Sequence, residues 1–183
     1  MAVKKKVLVL LADGFEEIEA VTVIDVLRRA DIEVMSASLN GSQVKGSHGI
    51  SVVADSTLDQ VEEQMFDALV LPGGMPGARH LRESQPVLDL IRDAAHKGKF
   101  VAAICAGPTA LDVAGVLKGR RATSNPGHEL PSADYVEEAV VVDGNIVTSR
   151  GPGTAFDFAL KLVEKLAGPA VAELHRDRLL LSS

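Results

Sequence analysis

The sequence predicts an α/β protein in which helices cover both faces of a mostly parallel sheet. Short apolar, strand-like runs alternate with helical patterns along the 183 residues. Turns rich in glycine or small residues follow four of the strands, at Gly14, Gly73-Gly74, Ala106-Gly107 and Gly151 to Gly153. In an open α/β sheet such turns gather at one edge, where ligands bind.

The elements follow from the apolar pattern, taken in chain order. Strands are expected at residues 7–11, 33–37, 68–71 and 100–104, and an edge or hairpin strand around 50–53. Helices are expected at 16–30, 86–96, from about 108, at 154–166 and from about 170. Asp143-Gly144-Asn145 predicts a hairpin between 139–142 and 146–148. Since neither a repeat nor a linker interrupts this order, we expect a single domain over residues 1–183.

Composition excludes several classes of protein. A net charge of -6 disfavours a general nucleic-acid or anionic-membrane surface, and no window is long and apolar enough for a membrane span. The basic residues 4–6 precede an apolar run that stops at Asp13, which indicates a first strand and not a signal peptide. A single cysteine excludes an internal disulfide and paired-cysteine metal knuckles. We therefore expect a cytoplasmic protein.

Cys105 lies where an apolar strand turns into a helix. At such a turn a side chain is held out at the carboxyl edge of the sheet and faces the positive end of the next helix. Both effects favour a thiolate, which is the reactive form. The helix alone moves the thiol pKa by about one unit, so an ionised nucleophile needs another partner. The alternative is a small apolar side chain buried in the core.

The first helix offers that partner in Glu19. Glu19 shares a face with Val23, Val26 and Ala30, so its carboxyl points toward buried surface and must be paired or protonated. A protonated Glu19 that donates a hydrogen bond to the Cys105 thiolate would satisfy both groups. Glu17 lies at the edge of the polar face of the same helix. Compensation of the helix dipole explains a carboxylate at this position.

Two glycine-rich turns are candidate binding loops. Gly73-Gly74 is either a simple turn or, with the N–H of Ala106, a donor pair for a developing oxyanion. Gly151-Pro152-Gly153 fails as a dinucleotide loop because Phe156 stands where Gly or Ala is needed. The five histidines lack metal-ligand spacing, so we expect no metal. His128 follows Asn125 in a loop and is the histidine of most interest.

Four stretches, in this order along the chain, resemble the ThiJ/PfpI superfamily and, within it, the branch of the Parkinson-associated protein deglycase ("DJ-one"). They are ADGFEEIEA (12–20), LPGG (71–74), AAICAGP (102–108) and TSRGPGT (148–154). The resemblance implies a flavodoxin-like three-layer sandwich with a mostly parallel central sheet, usually a homodimer. It implies Cys105 as nucleophile on a strained elbow, Glu19 as its carboxyl partner, and backbone donors at Gly74 and Ala106.

The sequence departs from the family pattern at two positions. Some members carry a histidine near the cysteine where this chain has Asn125, with His128 three residues further on. His48 stands where the family has an arginine near its pocket. Asn125 and His128 are therefore candidate accessory residues.

The resemblance implies a cysteine-dependent enzyme that needs no cofactor. Cys105 would attack a small 2-oxoaldehyde to give a 2-hydroxy acid, and the same chemistry covers glycated proteins. The alternative is an oxidative-stress sensor or chaperone that acts through oxidation of Cys105. A cysteine amidase or protease is a third hypothesis, although no histidine is followed two residues later by glutamate.

Overall fold

The fold is built on one central sheet of mostly parallel strands. The computed structural model describes residues 4–62 and 66–181. Seven strands of this described part form the sheet, in the order β10-β11-β7-β6-β1-β2-β5. Their bounds are Lys6–Leu11 (β1), Glu33–Ser38 (β2), Ser56–Thr57 (β5), Ala68–Leu71 (β6), Phe100–Ile104 (β7), Val140–Asp143 (β10) and Ile146–Ser149 (β11). All neighbours are parallel except β10 and β11, which form the antiparallel hairpin predicted at residues 143–145.

Six helices pack on the two faces. They are Glu17–Arg29 (α1), Gly77–Glu83 (α2), Gln85–His96 (α3), Pro108–Val113 (α4), Ala155–Ala167 (α5) and Pro169–Arg178 (α6), counted within the described residues. The predicted helices at 16–30, 86–96 and 154–166 are confirmed to within a residue or two. None of the helices in the described part is long and apolar enough to cross a membrane.

Alternation along β1 divides the core into two halves. Val7, Val9 and Leu11 face the cluster that includes α1 and α5, whereas Leu8 and Leu10 face the cluster that includes α2, α3 and α4. Each half excludes water from one face of the sheet. The three-layer sandwich with a mostly parallel sheet is therefore confirmed.

Several short elements were not predicted. α2 has only seven residues, which is too short for a helical period to stand out. Gln43–Lys45 (β3) pairs with Ser51–Val53 (β4) in a separate hairpin, so the strand expected at 50–53 lies outside the central sheet. Arg121–Ala122 (β8) and Asp134–Tyr135 (β9) form a second small pair.

The order of strands gathers the functional loops. From β1 the chain moves to β2 on one side of the sheet and returns to β6 on the other side. The carboxyl ends of β1 and β6 therefore flank a crevice at the point where the strand order reverses, with the end of β7 beside them. The turns after these three strands carry Glu16, Gly73 and Cys105.

Candidate active site

Cys105 lies on a strained turn between β7 and α4. Its backbone φ is +64°, a left-handed conformation that costs a non-glycine residue about 1–3 kcal/mol. Hydrogen bonds hold the turn: the Cys105 N–H donates to Ser149 O at 3.0 Å, and the Asn125 N–H donates to Cys105 O at 2.9 Å. The residue is only half-buried, so solvent reaches it. The predicted strand-to-helix turn is confirmed, and Cys105 packs against the core without being fully buried in it.

Glu19 is buried completely, as its apolar helical face predicted. The side chain of Glu16 caps α1 by accepting a hydrogen bond from the Glu19 N–H at 2.7 Å. Glu19 is 0% exposed, and its Oε2 accepts a hydrogen bond from the Gly73 N–H at 2.7 Å. Its Oε1 has no hydrogen-bond partner of standard geometry within the described residues. The neighbouring Cys105 thiol lowers the pKa of the Glu19 carboxyl.

Gly73 is the point at which the carboxyl and the cysteine meet. A Cβ added to Gly73 would lie 2.6 Å from the Cβ of Cys105, 2.7 Å from Oε2 of Glu19 and 2.9 Å from the N of Ala106. Real Cβ atoms essentially never come this close to other atoms, so only glycine fits here. Helix α1 and the turns after β6 and β7 therefore meet at Gly73, where the side chains of Glu19 and Cys105 pack against the glycine backbone.

Two backbone N–H groups point at the sulfur. The N–H groups of Ala106 and Gly74 both hydrogen-bond to Cys105 and lower the pKa of its thiol. Gly74 has φ +86°, and an added Cβ would collide with the backbone of Gly14 and Glu16. The two residues that the resemblance named as backbone donors therefore lie together at Cys105.

The carboxyl and the thiol share one negative charge. Burial raises the pKa of Glu19 to about 7, and the charge of Glu16 adds to the rise. Burial raises the pKa of Cys105 to about 12, and the Glu19 carboxylate adds to that rise through its charge. Because the two groups titrate as a pair, the first proton leaves near neutral pH and the second is retained.

This result corrects the expectation that the turn into α4 by itself favours a thiolate. The pKa of the thiol is raised, by burial first and then by an ionised Glu19. When Glu19 keeps its proton, its charge no longer opposes the sulfur and its O–H can donate to it. A thiolate at neutral pH thus requires a protonated Glu19.

Glu17 is buried, although the sequence predicted that it lies at the edge of the polar face of α1. It is 6% exposed, because the β3–β4 hairpin folds over it. Its Oε1 accepts the His48 N–H at 2.7 Å, and its Oε2 lies 3.0 Å from Nδ1 of the His48 ring. Although burial opposes it, hydrogen bonding to His48 and to backbone N–H groups lowers the pKa of Glu17 to about 2. Glu17 is therefore a buried carboxylate anchor and more than a dipole-compensating charge.

One group of side chains has the spacing of metal ligands. Ligand atoms of Glu16, Glu17 and His48 lie within 4.8 Å of one another, in the part of the chain that the structure describes. However, Glu17 already accepts hydrogen bonds from His48 and Ile50, and Glu16 caps α1. Hydrogen bonding within the fold accounts for this cluster.

Asn125 and His128 lie on one turn beside Cys105. The Asn125 N–H reaches the Cys105 carbonyl, and the His128 N–H donates to Asn125 O at 3.0 Å. Of the two, only Asn125 hydrogen-bonds to Cys105 within the described residues. A cysteine–histidine pair of the amidase or protease type is therefore not formed in that part of the structure.

Comparison with known proteins agrees with this geometry. The model of the DJ-1/PfpI family matches residues 5–165. The chain belongs to the DJ-1/PfpI family. The resemblance stated from the four motifs is thereby confirmed.

Relatives within the DJ-1/PfpI family span nearly the whole chain. Protein dj-1beta of Drosophila melanogaster is 47% identical over 169 residues, 90% of each chain. The crystal structure of Drosophila DJ-1beta superposes with a TM-score of 0.95 at 44% identity, over 99% of this chain and 100% of that one. A Caenorhabditis elegans protein named glutathione-independent glyoxalase is 38% identical over 92% of each chain. A Pyrococcus abyssi protein named deglycase is 40% identical over 88% of this chain and 99% of its own.

Acid should remove the stability that Glu17 contributes. The folded pKa of Glu17, about 2, lies below its ordinary value of 4.5. Its contribution is therefore complete above about pH 4.5 and is lost as the pH falls toward 2. We predict that Glu17→Gln is less stable than wild type by roughly 1–3 kcal/mol at neutral pH, and that this difference shrinks in acid. Urea unfolding across the pH range measures both.

A matched control is Glu33→Gln. The Glu33 carboxylate is 58% exposed and lies 3.5 Å from Lys6 Nζ, so its removal should change stability little at any pH. A constant difference between Glu17→Gln and wild type at all pH values would contradict the assignment.

Proposed function

We propose that the chain is a cysteine-dependent, cofactor-free glyoxalase that converts 2-oxoaldehydes to 2-hydroxy acids. The same chemistry extends to protein deglycation, since early glycation adducts carry the same carbon framework. The observation that supports this most directly is the packing of Glu19 and Cys105 on Gly73, with the pKa of Glu19 near 7. An acid of that pKa both gives and takes a proton at neutral pH.

The first step is addition of sulfur to the aldehyde. Glu19 holds the proton while Cys105 is a thiolate, and the sulfur attacks the aldehyde carbon to form a C–S bond. The aldehyde oxygen takes the Glu19 proton, which gives a hemithioacetal and leaves Glu19 as a carboxylate. Both groups have then changed charge without any proton leaving the site.

The second step moves a hydrogen between adjacent carbons. The Glu19 carboxylate takes the proton from the hemithioacetal carbon and returns it to the neighbouring carbonyl carbon. The hydroxyl proton of the hemithioacetal passes to the former carbonyl oxygen, so the enolate-like intermediate becomes a 2-hydroxy thioester. The N–H groups of Gly74 and Ala106 are placed to hold the negative oxygen. Water then breaks the C–S bond. The net reaction adds one water to the 2-oxoaldehyde and requires no external oxidant or reductant.

The family relatives support the reaction class. The C. elegans relative is named a glyoxalase and the P. abyssi relative a deglycase, and both align over at least 88% of this chain. We further propose that residues 1–183 act as one ThiJ/PfpI-like domain in the cytoplasm, where a reducing environment keeps a lone thiol free.

A second candidate function is an oxidative-stress sensor or chaperone. Cys105 is half-buried, and the sequence has no other cysteine to resolve a sulfenic acid. Peroxide would therefore carry the sulfur on to sulfinic acid. Intact mass after mild peroxide separates the candidates: a gain of two oxygens without methylglyoxal turnover favours the sensor.

Cys105→Ser should abolish turnover of methylglyoxal. Serine keeps the size of the side chain but is far less acidic, so we expect a loss of at least about 100-fold in kcat/KM. Lactate formation followed by an enzymatic assay is the measurement. Full turnover by the variant, with its fold intact by circular dichroism, would eliminate the mechanism.

Glu19→Gln should alter the titration of Cys105. Gln cannot exchange a proton with the sulfur, while burial of the thiol remains. We therefore expect alkylation of the wild type to show a first step near pH 7, where the Glu19–Cys105 pair loses its first proton, and this first step to shift above the ordinary thiol value of about 8.5 in Glu19→Gln. Alkylation rates across the pH range measure this shift. Glu83→Gln, an exposed acid on α2, is the control; identical profiles for all three proteins would refute the pairing.

We also propose a homodimer formed through an exposed apolar patch on α1 and the β3–β4 hairpin. The patch consists of Ile18, Val21, Ile50 and Val53, which are 48–75% exposed. Val21, Val53 and the half-buried Ile24 and Val52 line one shared surface depression. Contiguous exposed apolar surface of this kind marks interaction sites. A second copy is the occupant that the family resemblance implies.

Val53→Glu should convert the protein to a monomer. The substitution places a charge at a position that is 75% exposed in the single chain and would be desolvated between copies. Size-exclusion chromatography with light scattering measures the mass. Val113→Glu, at an exposed apolar position on α4, should leave the mass unchanged. A monomeric wild type would overturn the dimer.

A further inference from the structure

The Glu19–Cys105 pair needs a further influence to place its proton on the carboxyl. The proposed reaction starts from the thiolate, the form in which Glu19 holds the proton. Burial and the charge of Glu19 raise the pKa of the thiol to about 12, although two N–H groups oppose the rise. The thiolate is therefore favoured only where another group makes an ionised Glu19 unfavourable.

Glu16 lies directly against Glu19. Its Oε2 accepts the Glu19 N–H at 2.7 Å, and its own N–H donates to Gly73 O at 3.0 Å. Gly73 in turn donates its N–H to Glu19 Oε2 at 2.7 Å. Because Glu16 is only 7% exposed, water screens its charge weakly. A buried negative charge thus lies beside the carboxyl that must stay neutral.

The charge of Glu16 bears on the carboxyl more than on the sulfur. Glu16 and Glu19 share the start of α1, whereas Cys105 follows β7. The charge of Glu16 raises the pKa of Glu19, while the groups that shift the pKa of Cys105 are Glu19 and two backbone N–H groups. A like charge that bears on one of two coupled groups moves their shared proton to that group.

The groups around Glu16 leave its charge in place. His48 Nδ1, on the β3–β4 hairpin, lies 3.9 Å from Glu16 Oε1 but 3.0 Å from Glu17 Oε2. Glu17, with a pKa of about 2, is therefore the acid that engages His48. The turn after β6 meets Glu16 through the backbone of Gly73 and Gly74.

Capping of α1 does not by itself require an acid at position 16. Glu16 is the N-cap, with an extended backbone, and Asn caps helices about as well as Asp. Two substitutions therefore separate the two roles of this side chain. Glu16→Asp keeps the cap and the charge, whereas Glu16→Asn keeps the cap alone.

We propose that Glu16 is a positioning residue that holds the proton shared by Glu19 and Cys105 on the carboxyl, and so leaves the negative charge on the sulfur. The inference rests on the proposed cysteine chemistry and deepens it. Glu16 acts through Glu19, and the only change is that one proton resides on a Glu19 oxygen and not on the sulfur.

The test measures the thiolate directly. The sequence has a single cysteine, so the ultraviolet absorbance of a thiolate reports Cys105 alone. Glu16→Asn should lower the thiolate fraction at neutral pH by about 3- to 10-fold, the population change that a shift of about 0.5–1 pKa unit produces. Glu16→Asp should retain most of it. Equal thiolate fractions in these two variants, with the fold intact by circular dichroism, would overturn the proposal.

Two further variants serve as a second probe and a control. Glu16→Gln removes the charge without shortening the side chain, and should lower the thiolate fraction as Glu16→Asn does. Asp13→Asn removes an exposed charge from the same turn and keeps an acceptor for the Lys45 N–H, so it should match wild type. An equal loss of thiolate in Asp13→Asn and Glu16→Gln would overturn the assignment to Glu16.

Turnover of methylglyoxal separates this inference from the proposed function. In an active enzyme, kcat/KM should fall in Glu16→Asn in proportion to the thiolate fraction and recover in Glu16→Asp. A charge-dependent thiolate in a protein whose wild type does not turn over methylglyoxal would support the role of Glu16 and remove the glyoxalase function. Reduced turnover in Glu16→Asn with an unchanged thiolate fraction would overturn the inference and leave the glyoxalase function standing.

Discussion

The close contact at Gly73 is the constraint on which the site depends. Glu19 and Cys105 follow β1 and β7, the two strands on either side of β6, and only a residue without a side chain lets both pack against the turn after β6. The same glycine supplies the N–H that satisfies Oε2 of the buried carboxyl. Burial of an ionisable group is costly unless donors or a proton compensate. Here one donor is present, and the remaining compensation is the proton that Glu19 retains.

Two buried carboxylates on the first turn of α1 show how burial and donors together decide ionisation. Glu17 is 6% exposed and Glu19 is 0% exposed, and the pKa is about 2 for Glu17 and about 7 for Glu19, where burial is the largest cause of the rise. Glu17 accepts hydrogen bonds from His48 and Ile50, whereas Glu19 has Gly73 and a thiol. Glu17 therefore serves as a fixed charge that anchors the hairpin, and Glu19 is left able to exchange a proton.

The sequence predicted what depends on local pattern and missed what depends on distant contact. The spacing of Glu19 with Val23 and Val26 predicted its buried face, and the alternation of strands and helices predicted the layers. The burial of Glu17 was missed because His48, 31 residues away, determines it, and nothing in the helical pattern reports a hairpin that folds back. The placement of Asn125 beside Cys105 was expected from the family resemblance alone, since the local patterns of the two loops carry no common signal.

The dipole of helix α4 explains only part of the charge state of Cys105. α4 has six residues and no side-chain cap, so its macrodipole is small, and the donors at the sulfur are two individual N–H groups. One of them, Gly74, comes from a different turn and depends on a left-handed backbone that only glycine adopts easily. The charge at Cys105 is thus set by three separate turns packed together and by the protonation of Glu19. For this reason a substitution in any of the three turns would change the reactivity of the sulfur without touching Cys105 itself.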